Sequence, residues 1–211
     1  LIDSILSNMG WETTYLKGEN ATEERLTAFS DKNSKGTMHI ATHGYAFPEY
    51  SSMDPTIDQK SIRYSYRYSN NPMVRSGLVL AGGNWALMGS DTLTQLGAAE
   101  NGVLTALEVS QLNLRNTKLV VLSACKTGLG KIEGSEGTFG LKRGFKLAGV
   151  EQMILSLWSV PDKETNELMT FFYKELAQTM EPVSSFQKAQ NQMRDKYPID
   201  PEKWAGFVLV R

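Results

Sequence analysis

The residue types with the clearest chemical potential in this sequence are one cysteine and two histidines. Cys125 is the only cysteine of the 211-residue chain, and it ends an apolar run, LVVLSAC, that continues into the glycine-containing segment KTGLG. His43 ends a second apolar run, GTMHIATHG, and the next two residues are Gly44 and Tyr45. A base beside a thiol yields the thiolate, the reactive form of cysteine. The pair therefore indicates nucleophilic chemistry with a histidine base.

Apolar runs alternate with amphipathic helical patterns along most of the chain. Strands are predicted at residues 36–44, 77–83, 118–125, 151–160 and 204–211, the last as a candidate edge strand. Helices are predicted at residues 20–30, 104–112, 138–150, 162–180 and 183–197, with Asn20 as the first N-cap and Gly149 as the third C-cap. This alternation predicts an α/β fold, a mostly parallel sheet with helices on both faces.

His43 and Cys125 are both predicted at the carboxyl ends of strands, where open α/β sheets bind their ligands. Adjacent parallel strands lie about 4.8 Å apart, so two such ends can bring an imidazole and a thiol together. The backbone N–H groups of Gly44 and Cys125 could hold a developing oxyanion. Lys126, next to the thiol, would favour the anion if its ammonium points inward.

Two alternatives stay open on these residues alone. A lone cysteine at a strand end is usually a small buried hydrophobe. His39 lies four residues before His43 and shares its strand face, so either imidazole could face the thiol. His43 is preferred because it is terminal and precedes Gly44, whereas a mid-strand His39 would be a packing or orienting residue.

Composition excludes several function classes. The net charge of −1 gives no overall attraction to nucleic acid or membrane, and no apolar run approaches the roughly 20 residues of a membrane span. The aromatic-basic residues Tyr64, Tyr66 and Arg67 are interpreted as a surface loop rather than an RNA site. One cysteine excludes an internal disulfide and a Cys₄ or Cys₂His₂ zinc site, so neither metal nor cofactor is expected. A reducing cytoplasm is the expected location.

The chain is expected to form a single domain over residues 1–211, with a long polar loop or insertion at residues 46–73. It begins without methionine, which we interpret as a sign that it belongs to a longer protein. A phosphate-binding loop is unsupported, because Ile132 stands after Gly130-Lys131 where Ser or Thr is needed.

Several segments together closely resemble one known family. They are HIATHG (39–44), LVVLSACKTGLG (119–130), GLKRGFKLAGV (140–150) and MILSLWSVPDKETNELMTFFYKEL (153–176), with NPMVRSGLVLAGGN (72–84) and the closing WAGFVLVR in support. They resemble the CHAT family of caspase-like cysteine peptidase domains, which are related to separase and often joined to tetratricopeptide repeats. The resemblance runs from about Glu19 to the end of the chain.

The resemblance implies a caspase-like fold and a dyad of His43 and Cys125 that cleaves a peptide bond in a partner protein. No third carboxylate is implied, and Glu133 and Glu136 are interpreted as solvated loop residues. Separase-like relatives use an acidic residue near the position of Asp162 to accept a basic substrate side chain. The alternative for Asp162 is an N-cap of the helix that follows.

Three functional readings follow. The first is a cysteine endopeptidase, which the resemblance connects with bacterial defence. The second is a peptidase held inactive until a regulatory partner or adjoining tetratricopeptide repeats order the loop between Ala46 and Met73. The third is a non-catalytic caspase-like module that binds proteins through its cleft or its loop. The presence of both His43 and Cys125 favours the enzyme.

Overall fold

A computed structural model describes residues 2–47, 66–83, 101–123, 136–158 and 160–211. The described strands are β1 (Thr37–Ile40), β2 (His43–Ala46), β3 (Ser76–Val79), β4 (Val103–Thr105), β5 (Leu119–Leu122), β6 (Gln152–Ser156) and β7 (Phe207–Val210). The described α-helices are α1 (Ile2–Asn8), α2 (Glu23–Thr27), α3 (Ala106–Gln111), α4 (Glu136–Leu147), α5 (Asp162–Thr179) and α6 (Pro182–Lys196). None of the helices in these ranges has the length and apolar character to cross a bilayer.

The main sheet has the strand order β1-β5-β6-β7. β1, β5 and β6 run parallel, and β7 joins the edge antiparallel to β6. The uniformly apolar β5 is buried along its whole length, as a central strand covered on both faces must be. The predicted α/β fold with a mostly parallel sheet is therefore confirmed, and so is the edge position of the last strand.

Helices cover both faces of this sheet, and the alternation of side chains along the strands decides which core each residue joins. Met38, Ile40, Val120 and Leu122 pack in the cluster that contains Phe145 of α4. On the other face, Val121 and Ile154 of the strands pack with Phe172 of α5. Leu6 of α1 and Phe186 of α6 belong to the same cluster. The prediction of helices on both faces is confirmed.

A second, antiparallel sheet has the order β2-β3-β4, and it changes the assignment of His43. The apolar run 36–44 was expected to be one strand ending at His43, but β1 ends at Ile40 and His43 begins β2. The chain changes sheets at Ala41 and Thr42, where the Thr42 hydroxyl donates to the Val79 carbonyl oxygen. The expectation that His43 closes the first strand is therefore wrong, because the chain at His43 already pairs with β3.

The α2 and α3 helices begin later than predicted, whereas α4 begins earlier, at Glu136. Thr22, not Asn20, is the N-cap of α2, and its side chain accepts a hydrogen bond from the Arg25 N–H. The α3 helix begins after β4 and is fixed by a capping box in which Thr105 and Glu108 each bond the other's backbone. Gly149 has φ of +101° just beyond α4, a conformation that suits the predicted helix end.

The α4 helix packs tightly because it presents glycines to its neighbours. A Cβ atom on Gly140 would collide with the Ser76 side chain of β3, and one on Gly144 would meet the backbone of Ala106 in α3. These close approaches tie the second sheet to the helix layer of the main sheet. Most of the predicted loop, residues 48–65, lies outside the described residues, so the loop remains a prediction.

Candidate active site

The site is framed by the carboxyl ends of two adjacent parallel strands. Ile40 of β1 is in register with Leu122 of β5. The next residue, Ser123, donates its N–H to the Ile40 carbonyl oxygen at 3.0 Å, which ties the two strand ends together. His43 follows β1 closely in sequence and Cys125 follows Ser123 closely, but Cys125 lies outside the described residues. The pairing of the imidazole with the thiol therefore remains a prediction.

His43 has an exposed side chain on a firmly held backbone. It is paired with Val79 of β3, and the following residues Tyr45 and Ala46 are buried. The hydrogen bond from Thr42 to Val79 anchors the preceding residue. A rigid element that presents a solvent-accessible imidazole suits a group that must accept and return a proton.

Gly44 has a backbone N–H that points away from β3. Phe47 donates its N–H to the Arg75 carbonyl oxygen at 2.7 Å, which identifies a hydrogen-bonded pair in the β2–β3 ladder. Antiparallel ladders alternate such pairs with pairs that exchange no hydrogen bonds. Since the two kinds of pair alternate from Phe47–Arg75, Gly44 and Leu78 form a pair that exchanges no hydrogen bonds. The Gly44 amide is therefore not used by β3.

His39 occupies a different environment. Its Nδ1 lies 3.0 Å from the Tyr173 hydroxyl and its Nε2 lies 3.1 Å from the Ser123 hydroxyl. Burial lowers the pKa of His39 to about 4, so its imidazole is neutral near pH 7. Both ring nitrogens are engaged inside the protein. Of the two histidines, His39 has the orienting environment and His43 the accessible one.

Asp162 lies beyond the strand on the other side of β5. β6 is paired with β5 through Leu155 and Leu122, and Asp162 follows β6 as the first residue of α5. Pro161 occupies the N-cap position, so the alternative that Asp162 caps the helix is wrong. Its side chain is exposed, and a carboxylate in the first helical turn is favoured by the helix dipole. The carboxylate is thus not committed to capping.

Two apolar side chains at the end of β6 were missed by the sequence reasoning. Leu157 is 44% exposed and Trp158 is 40% exposed. The Leu157 N–H donates to the Gly206 carbonyl oxygen at 2.7 Å, and the indole N–H of Trp158 donates to the Glu202 carbonyl oxygen at 3.1 Å. A Leu-Trp pair directly after a buried strand was the available signal. The arrangement gives a fixed apolar surface between β6 and Asp162.

Other predicted residues have simpler outcomes. Tyr66 is buried, and its hydroxyl accepts a hydrogen bond from Asn101 at 2.9 Å, so the interpretation of this residue as part of a surface loop is wrong. Tyr64, Lys126 and Glu133 lie outside the described residues, and the side chain of Glu136 is not described. Within the described ranges, no three His, Cys, Asp or Glu residues cluster as metal ligands would.

The chain matches a known family model and two curated relatives. The model for the CHAT domain matches residues 4–211. Tetratricopeptide repeat protein 28 of Mus musculus is 30% identical over 109 residues, which cover 51% of this chain and 4% of that protein. The Homo sapiens protein of the same name is 27% identical over 202 residues, which cover 92% of this chain and 8% of that protein.

The chain thus spans less than a tenth of the length of either curated relative. The family model, in contrast, covers nearly the whole chain, and the mostly parallel sheet between two helix layers agrees with a caspase-like fold. The chain therefore belongs to the CHAT domain family.

Proposed function

We propose that the chain is a cysteine endopeptidase that cleaves a peptide bond in a protein substrate through a dyad of His43 and Cys125. The observation that carries the proposal is the pairing of Ile40 with Leu122, because it makes β1 and β5 parallel neighbours that end together. Each dyad residue follows one of these ends in sequence. Parallel neighbours lie about 4.8 Å apart, a spacing from which two side chains can meet.

The chemistry is acyl transfer. His43 maintains the Cys125 thiolate, and the sulfur attacks the scissile carbonyl carbon. The N–H groups of Gly44 and Cys125 stabilise the resulting oxyanion; the direction of the Gly44 amide, away from β3, supports this assignment. His43 then protonates the leaving amine, and water hydrolyses the thioester to release the acid and restore the thiol.

Asp162 is the proposed acceptor of a basic side chain in the substrate residue before the cleaved bond. Support comes from its exposed carboxylate and from its position after β6, the strand that flanks β5 opposite β1. The apolar surface of Leu157 and Trp158 lies between β6 and Asp162 in the chain and offers contact area for substrate.

Activation by a partner or an adjoining domain is part of the proposal. The two curated relatives are named for tetratricopeptide repeats, and the matched region is a small part of each. Such repeats are a fitting regulatory partner for this chain, with the segment around residues 46–73 as the element that they order. The family resemblance connects such peptidases with bacterial defence, although the two relatives reported above come from Mus musculus and Homo sapiens.

Labelling with an electrophilic peptide tests the dyad. A peptidyl acyloxymethyl ketone with Arg at the cleavage position should add once to the wild-type chain, and mass spectrometry can locate the adduct because Cys125 is the only thiol. Labelling should disappear in Cys125→Ser and fall at least about 100-fold in His43→Ala. His43-independent labelling at the rate of a free thiol, with no cleavage of a peptide library, would favour the non-catalytic binding module.

A further inference from the structure

The imidazole of His39 lies on the α5 face of the main sheet, where the neighbouring strands present apolar residues. Val121 of β5 and Ile154 of β6 occupy the matching positions and belong to the apolar cluster under α5. A polar side chain in such a position loses its hydration and must recover the cost through hydrogen bonds. His39 does so with two partners from two different elements.

These partners connect the core with the site. Tyr173 is fully buried on α5, 134 positions from His39 in the chain, and its ring stacks on the imidazole with centroids 5.6 Å apart. Ser123 is the residue whose N–H already bonds the end of β1, and its hydroxyl lies 3.1 Å from the other imidazole nitrogen. His39 therefore joins α5, β1 and the end of β5.

The hydrogen-bonding capacity of a neutral imidazole matches the two partners of His39. A neutral imidazole has one N–H donor and one acceptor nitrogen, and each hydroxyl can supply whichever role is missing. Either tautomer therefore satisfies both ring nitrogens at once. In one tautomer Tyr173 donates to Nδ1 and Nε2–H donates to Ser123, which leaves the serine hydrogen for a further acceptor. In the other tautomer Ser123 itself donates to Nε2.

We propose that His39 is a positioning residue for the endopeptidase, fixing Ser123 at the end of β5 and thereby the course of the chain toward Cys125. This inference rests on the proposed function. The backbone hydrogen bond from Ser123 to Ile40 fixes the position of the strand end but does not restrain the rotation of the Ser123 side chain. The bond to His39 adds a second attachment, and Tyr173 fixes the rotation of the ring. Small displacements of a nucleophile are costly, about 100-fold for 1 Å.

Hydroxyl deletions give the sharpest test, because they remove a hydrogen bond and preserve the packing. Ser123→Ala should lower kcat about tenfold and leave KM within about twofold. His39→Leu should match that loss, and His39→Gln, which restores a donor and an acceptor near Ser123, should recover part of the rate. Tyr173→Phe should have the smaller effect of the same kind.

Two controls remove comparable hydrogen bonds that involve neither β1 nor β5. Ser185→Ala deletes a fully buried hydroxyl that bonds Thr179 at 2.8 Å, and Tyr197→Phe deletes a hydroxyl that bonds Glu167 at 2.8 Å. Both should leave kcat unchanged even where they lower the melting temperature. An unchanged kcat in Ser123→Ala, with a loss of thermal stability alone, would overturn the positioning role. Should His39→Leu fail to fold, Ser123→Ala decides.

Alkylation of Cys125 by iodoacetamide separates this inference from the proposed function. The chain has one thiol, so the rate and its pH profile report that residue whether or not peptides are cleaved. A protein that cleaves no substrate would contradict the proposed function. The positioning role would then stand if Ser123→Ala and His39→Leu shift the alkylation profile relative to the two controls, and it would be overturned if all four profiles coincide with wild type.

Discussion

The two histidines of the segment HIATHG lie in opposite environments. His43 is exposed at the start of β2, whereas His39 is bonded at both nitrogens by Tyr173 and Ser123. A base in catalysis must exchange its proton with substrate, which requires access. A half-buried imidazole with both nitrogens engaged is better suited to holding its surroundings. The same residue type thus has two environments, set by the partner elements and not by local sequence, and they suit the two roles proposed above.

The burial of His39 predicts a pH dependence of stability. Its pKa is lowered to about 4 in the folded protein and is 6.5 in the unfolded chain, so the unfolded chain binds more protons below pH 6.5. The stability that this group contributes is present above the unfolded pKa and is lost as the pH falls toward 4. Between pH 7 and pH 5 the loss is about 2 kcal/mol.

Urea unfolding of wild type and His39→Gln at both pH values measures this loss. The variant lacks the group, so the difference in unfolding free energy between the two proteins should shrink by that amount at pH 5. A difference that stays constant with pH would show that His39 titrates normally in the folded state.

Asp162 gives a prediction about specificity. Asp162→Asn should lower kcat/KM at least about tenfold for substrates with Arg or Lys before the cleaved bond, because the substrate cation loses its charge partner. Substrates with a neutral residue there should be affected little. Asp195→Asn, which neutralises another exposed carboxylate on α6, is the matched control. Cleavage-site profiling measures both, and equal losses for cationic and neutral substrates would contradict the assignment.

At the scale of the elements, the sequence predicted each run that forms the main sheet but not the change of sheet after β1. The run GTMHIATHG was interpreted as one strand, and nothing local marks Ala41 and Thr42 as the point where the chain leaves β5 for β3. β4 was missed because its three residues run directly into α3. These features depend on pairing between distant segments, which periodicity does not encode.

The candidate site was predictable to a similar degree. The neighbouring positions of the strand ends followed from the α/β pattern, and the residue types of His43 and Asp162 were visible in the sequence. The hydrogen bonds of His39 were not, because Tyr173 lies on a helix far along the chain. The amide direction of Gly44 was also hidden, since it follows from the register with β3.

The packing of α4 against α3 predicts a sensitivity to one added methyl group. An ideal Cβ on Gly144 lies 2.5 Å from the Ala106 carbonyl oxygen, a backbone atom that cannot rotate away. Gly144→Ala gains helix propensity of about 1 kcal/mol. We expect the steric overlap to outweigh the gain in helix propensity, so that the variant is destabilised by about 1–3 kcal/mol.

Gly36→Ala is the control, because its Cβ would meet nothing within 4 Å. Urea unfolding compares the two variants. A Gly144→Ala protein as stable as Gly36→Ala would mean that α4 can move away from α3 at little cost.

At the scale of the whole molecule, one sheet separates two apolar clusters. Phe145 of α4 lies in one cluster and Phe172 of α5 lies in the other, and both side chains are fully buried. The strands between them contribute alternate residues to each cluster. The unfolding of either helix layer would therefore expose an apolar face of the shared strands. This arrangement predicts that the two layers unfold together.

Two truncations on opposite faces test that cooperativity. Phe145→Ala and Phe172→Ala should each lower the unfolding free energy by about 3–5 kcal/mol while a single transition with an unchanged denaturant slope is retained. Tyr15→Ala, at a side chain that is 67% exposed, should change little. Circular dichroism reports the backbone, and tryptophan fluorescence reports the four tryptophans together, among them Trp11 and Trp204 in the cluster of Phe172. If the two signals separate in either variant, the layers are independent units and the prediction of a single domain is wrong.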